Sequence, residues 1–246
     1  MSMRLLSVAV FVVTWWIGSL LMGSAKLPPP PEVLKAVIME AKTGALLLNL
    51  GVTLARVALS FVLAMTLGTA IGYWMGRVRL ADRLGDPWLI ILLNLPALVV
   101  IVLAYIWAGL TEAAAIAAIA INKLPTAVVT LREGTRALDP ALDEMARIFN
   151  FPRGRAFRHV VLPQLAPYIA AAARSGLALI WKIVLVAEFL GRPNGVGFEI
   201  GVAFQLFDIP LLLAYSLSFA AIVFLIETVL VQPFEARLSQ WRPRAA

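Results

Sequence analysis

Runs of about 18 or more apolar residues recur along this chain between short polar stretches, and no other feature narrows its fold as far. A helix needs about 20 such residues to cross a ~30 Å hydrocarbon layer. A water-soluble chain of 246 residues has no core large enough to hide five or six of these runs. The composition agrees: 61% hydrophobic and 14% charged residues, with a mean hydropathy of +0.90, against roughly 45–50% and ~25% in soluble domains. We therefore read an all-α integral membrane protein of about six transmembrane helices, forming one domain over residues 1–246.

The first run, Leu5 to Met22, ends in small residues as a secretory signal would. It is long for a signal core and holds Trp15 and Trp16, so we expect an uncleaved helix. Pro28-Pro29-Pro30-Pro31 reads as a stiff extended exit. Glu32 to Leu50 is amphipathic and is placed at the membrane surface, completing a leading unit over 1–51. The core, 52–232, holds spans at about Val52–Met75, Pro87–Trp107, Thr111–Leu131, Tyr168–Leu190 and Leu211–Val231, followed by a tail over 233–246. The segment GRPNGVG after the fifth span reads as a loop.

The net charge of +7 does not point to nucleic acid, because the basic residues sit in short loops between spans rather than on one polar face. About thirteen Lys and Arg fall on one side of this topology and about four on the other, which places both termini in the cytoplasm by the positive-inside rule. With no cysteine, disulfides, thiolate metal sites and cysteine nucleophiles are excluded. His159 stands alone, so no metal site is expected, and the Ser, Asp and Glu residues show no spacing suited to nucleophilic catalysis. We expect no enzyme. No G-x-x-x-x-G-K-[ST] loop occurs either, so the chain lacks the usual cradle for ATP phosphates.

The longest polar stretch, 132–163, contains EMARIFNFPRGRAFRHVVLP. Asp139-Pro140 supplies an N-cap and a proline at the first helical position, and a helix over about Ala141–Phe149 follows. Asn150 tolerates left-handed backbone and Pro152 prevents continuation, so the stretch reads as two short helices joined by a bend. A basic, structured loop of this length is suited to docking a partner.

This stretch resembles the EAA loop of binding-protein-dependent ABC permeases. Glu144, Ala146, Leu162 and Pro163 match at the family's spacing, while Met145 replaces its first alanine and Asn150 its glycine. The segments TLARVALSFVLAMTLGTAIGYWMG and WKIVLVAEFLGRPNGVG extend the likeness from about Thr53 onward and are similar to the nitrate/sulfonate/taurine branch. The resemblance implies a type I ABC importer permease fold in a bacterial inner membrane. It implies a homodimer, or a pair with a close paralogue. Two cytoplasmic ATPase subunits would use ATP and Mg while this chain binds no cofactor, and an external binding protein would deliver a small solute, with an anion such as a sulfonate, taurine or nitrate preferred. Coupling to the ATPase would fall on Glu144, Ala146, Arg147, Asn150, Gly154, Leu162 and Pro163.

Two further sets of residues carry expectations. Gly68, Gly72 and Gly76 recur every four residues on one helix face, where another backbone can approach closely, within the bundle or across a permease–permease interface. Lys123 lies about 18 Å along its span at ~1.5 Å per residue, too deep to reach water, and must face a partner or a wet path. With Asn94, Asn122, Lys182 and Glu188 it is expected to line the translocation path, a buried pair with Glu188 or Glu227 being the alternative. An ion-coupled transporter or channel built on such charges is the rival reading, and the EAA resemblance argues against it.

Overall fold

The computed structural model describes residues 3–23 and 26–233, and among them every regular element is helical. The expected inside tail from 234 onward lies outside the described residues. An apolar helix α1 (Met3–Met22) is followed by α2 (Pro30–Thr43), which opens with proline in its first turn. The amphipathic segment ends earlier than expected, because Gly44 takes a φ of 81° and turns the chain directly into α3 (Ala45–Arg77). At 33 residues, α3 is roughly 50 Å long.

The expected third span is two helices. The helix breaks at Leu95-Pro96, and α4 (Arg79–Asn94) meets α5 (Ala97–Ala108) at a bend of 101°. Leu95 is extended, with ψ of 127°, as the residue before a proline prefers. Next come α6 (Glu112–Arg136) and α7 (Pro140–Ile148). A short turn α8 (Arg153–Ala156) then runs through a π-helical segment, Phe157–Val161, into α9 (Leu162–Gly191), making one 39-residue rod. The segment read as a loop turns helical at α10 (Val196–Leu206), and α11 (Ile209–Ile226) completes the bundle.

By length and composition α3, α6, the α8–α9 rod and α11 are each able to cross a membrane, and the bent α4–α5 pair adds a fifth only where its two helices together count as one broken span. The described part of α1, Leu6–Met22, is a shorter apolar helix. Such a bundle has no water to satisfy its backbone, which is why helices are the only elements used.

The centre of the bundle is the crossing of α3 and α6. Gly68, Gly72 and Gly76 all face α6: an added Cβ would lie 2.6 Å from the Ala127 Cβ, 2.6 Å from the Val128 carbonyl and 2.5 Å from the Thr135 Cβ, respectively. The glycine face is therefore packed inside the bundle, against α6. The alanines of α6, among them Ala114, Ala115, Ala118 and Ala127, are buried, giving the close packing that apolar helices in lipid require.

Candidate functional site

At one end of the bundle stands α7 with its bend. The Asp139 carboxylate accepts the Ala141 N–H at 2.9 Å, capping the helix whose first residue is Pro140. At the other terminus the Phe151 N–H donates to the Ala146 carbonyl and the Asn150 N–H to the Arg147 carbonyl, with Asn150 at φ 51°. This double closure is a Schellman motif, and its left-handed position is the one glycine or asparagine fills. Thus Asn150 performs the backbone task of the glycine it replaces.

Two ties hold α7 to the membrane helices. Arg77, the last residue of α3, donates to Asp143 at 2.6 Å while lying over the Tyr73 ring. Gln164 on α9 accepts the Asp139 N–H at 2.9 Å. Ala146 is buried against this body, whereas Ile148 and Phe149 are 76% and 69% exposed. Two large apolar side chains at the tip of a basic loop form a surface that water disfavours. Glu144, Arg147, Gly154 and Pro163 are exposed beside it, and Leu162 is partly so. A side chain at Gly154 would meet no neighbour, so space does not demand glycine there.

At the opposite end, one stripe of α3 holds the chain that leaves α9. Asn49 accepts the Gly195 N–H at 2.8 Å, and Thr53 accepts the Val196 N–H at 2.9 Å. Arg56 donates to the Asn194 carbonyl and side chain, to Glu188 at 2.7 Å and to Glu112 at 2.6 Å. Arg56 and Glu188 are 2% and 0% exposed. The Glu188 carboxylate also accepts from Thr53 at 3.0 Å and from the Gly197 N–H at 2.8 Å, so both charges are paired and fully hydrogen-bonded. Arg192 bonds to the second Glu112 oxygen and to the Leu110 carbonyl. The polar chain continues outward from Asn49 to Glu199, and the Tyr215 hydroxyl donates a hydrogen bond to Glu40 on α2. Burial pushes the Glu199 carboxyl above its ordinary range, with the Asn49 amide opposing.

Comparison with known proteins decides what this bundle is. The family model described as "Binding-protein-dependent transport system inner membrane component" matches residues 64–232. The chain belongs to this family of ABC transporter permeases. A Brucella abortus protein named as a probable ABC transporter permease is 31% identical over 245 residues, spanning 100% of this chain and 97% of its own. A Bacillus subtilis permease named for aliphatic sulfonates is 31% identical over 240 residues, 97% and 87% of the two chains. The taurine transport permease of Escherichia coli is 26% identical over 242 residues, 96% and 88%. A solved chain of the methionine ABC transporter MetNI shares the fold, with a TM-score of 0.66 at 18% identity over 82% of this chain and 99% of that one.

The permease is thus a multi-pass inner-membrane component of an ABC importer, in the nitrate/sulfonate/taurine branch. Its expected path residues are not brought together. Lys123, 1% exposed, is sealed between α6 and α9, where its ammonium donates to Thr126 at 2.9 Å and Ser175 at 3.3 Å. A Cβ at Gly176 would overlap the lysine stem, so that glycine makes its berth. The alternative pairing of Lys123 with Glu188 is not formed, because Arg56 occupies that carboxylate. Both Lys123 and Glu188 are buried within the bundle. Asn94 is exposed at the 101° bend and returns its amide to Ile90, Asn122 returns its own to Ala118, and Lys182 is exposed on α9.

Sequence reasoning missed the α3 stripe. Asn49, Thr53, Arg56 and Ser60 recur at helical spacing in an otherwise apolar run, and four polar side chains on one face of a span were the available signal. Their partners, backbone N–H groups of a loop about 140 residues away, leave no trace in local pattern.

Proposed function

We propose that this permease carries a small anion of the sulfonate class, handed over by an external binding protein, through a channel formed with a second permease copy. Two ATPase subunits grip α7 and its bend from the cytoplasm. The observation that carries the reading is the α7 tip: Ile148 and Phe149 stand exposed on a helix that Arg77 and Gln164 hold rigidly to α3 and α9. An exposed apolar pair on a rigid, basic arm fits a protein cleft better than water or lipid. The substrate class is supported by relatives named for aliphatic sulfonates and taurine. ATP and Mg belong to the partner, and the loop side, with both termini, is cytoplasmic by the distribution of Lys and Arg.

Within this reading Glu144, Arg147 and Asn150 set the charge and angle of the docking helix, and Ala146, Leu162 and Pro163 its seat on the bundle. Of the expected path residues, Asn94, Asn122 and Lys182 have surface to offer a solute, while Lys123 and Glu188 act as polar ties between helices. The test is co-purification with the cognate ATPase in mild detergent. Retention by the wild type, lost in an Ile148→Asp/Phe149→Asp double variant that still elutes as a folded species, is expected. A wild-type chain that never retains the ATPase, or a double variant that retains it fully, overturns the docking role.

A further inference from the structure

We propose that an anionic phospholipid occupies a continuous groove between α3 and the α8–α9 rod, its phosphate on the loop arginines and an acyl chain along the helices. The proposal requires only that α3 and α9 span the membrane, and it stands whether or not the transport reading does.

Two clefts meet here. One, of about 670 Å³, lies under the bend and is lined by Arg77, Arg147 and Arg153, with Asp143 the one acidic side chain in its wall. The other, of about 620 Å³, runs up the helices between Met65 and Thr69 on α3 and Leu165 and Ile169 on α9. Both are lined by Tyr73 and Phe157, whose rings meet edge to face at 5.6 Å and mark the seam. A single molecule entering both must be cationophilic at one end and apolar at the other.

The dimensions suit one lipid leaflet. From Tyr73 to Met65 the groove follows α3 for roughly 12 Å, and from Phe157 to Ile169 it follows the rod for roughly 18 Å, at ~1.5 Å per residue. Half of a ~30 Å hydrocarbon core is about 15 Å. Along this length the wall offers little polarity, since the Thr66 hydroxyl is spent on the Val62 carbonyl of its own helix. At the head, Asp143 is already engaged by Arg77, which leaves the guanidinium groups of Arg147 and Arg153 as the surplus charge. Basic pockets between spans at the cytoplasmic surface attract anionic head groups in this way. The apolar pair proposed to enter the ATPase, Ile148 and Phe149, does not line the cleft, whereas Arg147 stands in its wall and on the docking helix alike.

Native mass spectrometry of the purified chain tests this, with phosphatidylglycerol and phosphatidylcholine of identical acyl chains as probes and inorganic phosphate as the chainless control. Two surplus arginines at about five-fold each predict roughly 25-fold preference for phosphatidylglycerol. Arg147→Gln/Arg153→Gln should reduce the preference to near one, Arg147→Lys/Arg153→Lys should keep most of it, and Thr69→Trp should lower occupancy by either lipid. Equal retention of the two lipids by the wild type overturns the proposal, as does full competition by inorganic phosphate. A Thr69→Trp variant that dissociates a permease dimer without changing lipid retention assigns the groove to a second copy instead. Should a variant fail to fold, the wild-type comparison alone still decides.

Discussion

Removing Arg56 or Glu188 is expected to be among the costliest changes in the permease, and their joint removal much less than twice as costly. Glu188 is wholly buried and accepts from Arg56, Thr53 and Gly197. Arg56→Met leaves that carboxylate with a hydroxyl and a backbone N–H but no cation, a class of change that costs about 3–5 kcal/mol. Glu188→Leu should fall at the low end of the same range, because Arg56 keeps Glu112 and Asn194. The double variant replaces a paired charge by apolar groups, which is often close to neutral. We therefore expect a coupling energy of about 2 kcal/mol or more, against the ~0.5 kcal/mol within which independent sites add. Thermal unfolding in mild detergent reads it directly: a chain of this size shifts about 2–4 °C per kcal/mol, so Arg56→Met should lose roughly 6–20 °C. Additive single and double shifts would show that the network is a collection of separate contacts, and the reasoning would fail.

Three further outcomes follow from the geometry. Gly72→Ala places a methyl 2.6 Å from the Val128 carbonyl and should cost about 1–3 kcal/mol by thermal unfolding, whereas Gly51→Ala, with no neighbour within 4 Å, should be neutral or stabilising. Asn150→Gly should preserve ATPase retention, while Asn150→Val, forced to a φ near 51°, should lose about 1–2 kcal/mol and weaken retention; an intact complex with valine would remove the bend from the docking role. Asp143→Asn breaks a partly exposed bridge worth at most about 1 kcal/mol, so the unfolding temperature should barely move; reconstituted vesicles should show less substrate carried per ATP hydrolysed, and an unchanged ratio would mean that the Arg77 tie is idle.

The parts of this fold legible in sequence are those fixed locally. Apolar run length gave α3, α6, α9 and α11, Asp139-Pro140 gave the start of α7, and Asn150 followed by Pro152 gave the bend, because each depends on backbone preferences of a few adjacent residues. A proline such as Pro96 can kink a span or divide it, and local sequence does not choose between a kink and the 101° break seen here. What could not be read are pairings between distant residues. Lys123 is buried, and its partners are Ser175 and Thr126, two hydroxyls with no charge to announce them. Glu188, a candidate both for the path and for a pair with Lys123, is held by Arg56 132 positions away, and nothing in the local pattern ties those two.

The two candidate ends are joined by a single element, and that shapes how α7 can act on the far side. The α8–α9 rod begins at the bend and ends three residues beyond Glu188, roughly 58 Å at ~1.5 Å per residue. The α3–α6 pair forms a body whose glycine contacts leave no room to slide without overlap. The rod meets that body through dissimilar contacts: the ionic tie of Glu188 to Arg56 and the Lys123 berth at Gly176. A displacement of α7 therefore has few places to dissipate. We infer that it is absorbed where the rod is least regular, at the π segment Phe157–Val161, whose hydrogen bonds change register between α8 and α9. Beyond that segment the rod runs on as α-helix, interrupted in its hydrogen bonding only by Pro167 near its start, toward the chain that Asn49, Thr53 and Arg56 hold. On this reading the buried charges at that end are an anchor against which the rod turns, which explains why an expensive ionic network stands there while the opposite end relies on partly exposed bridges.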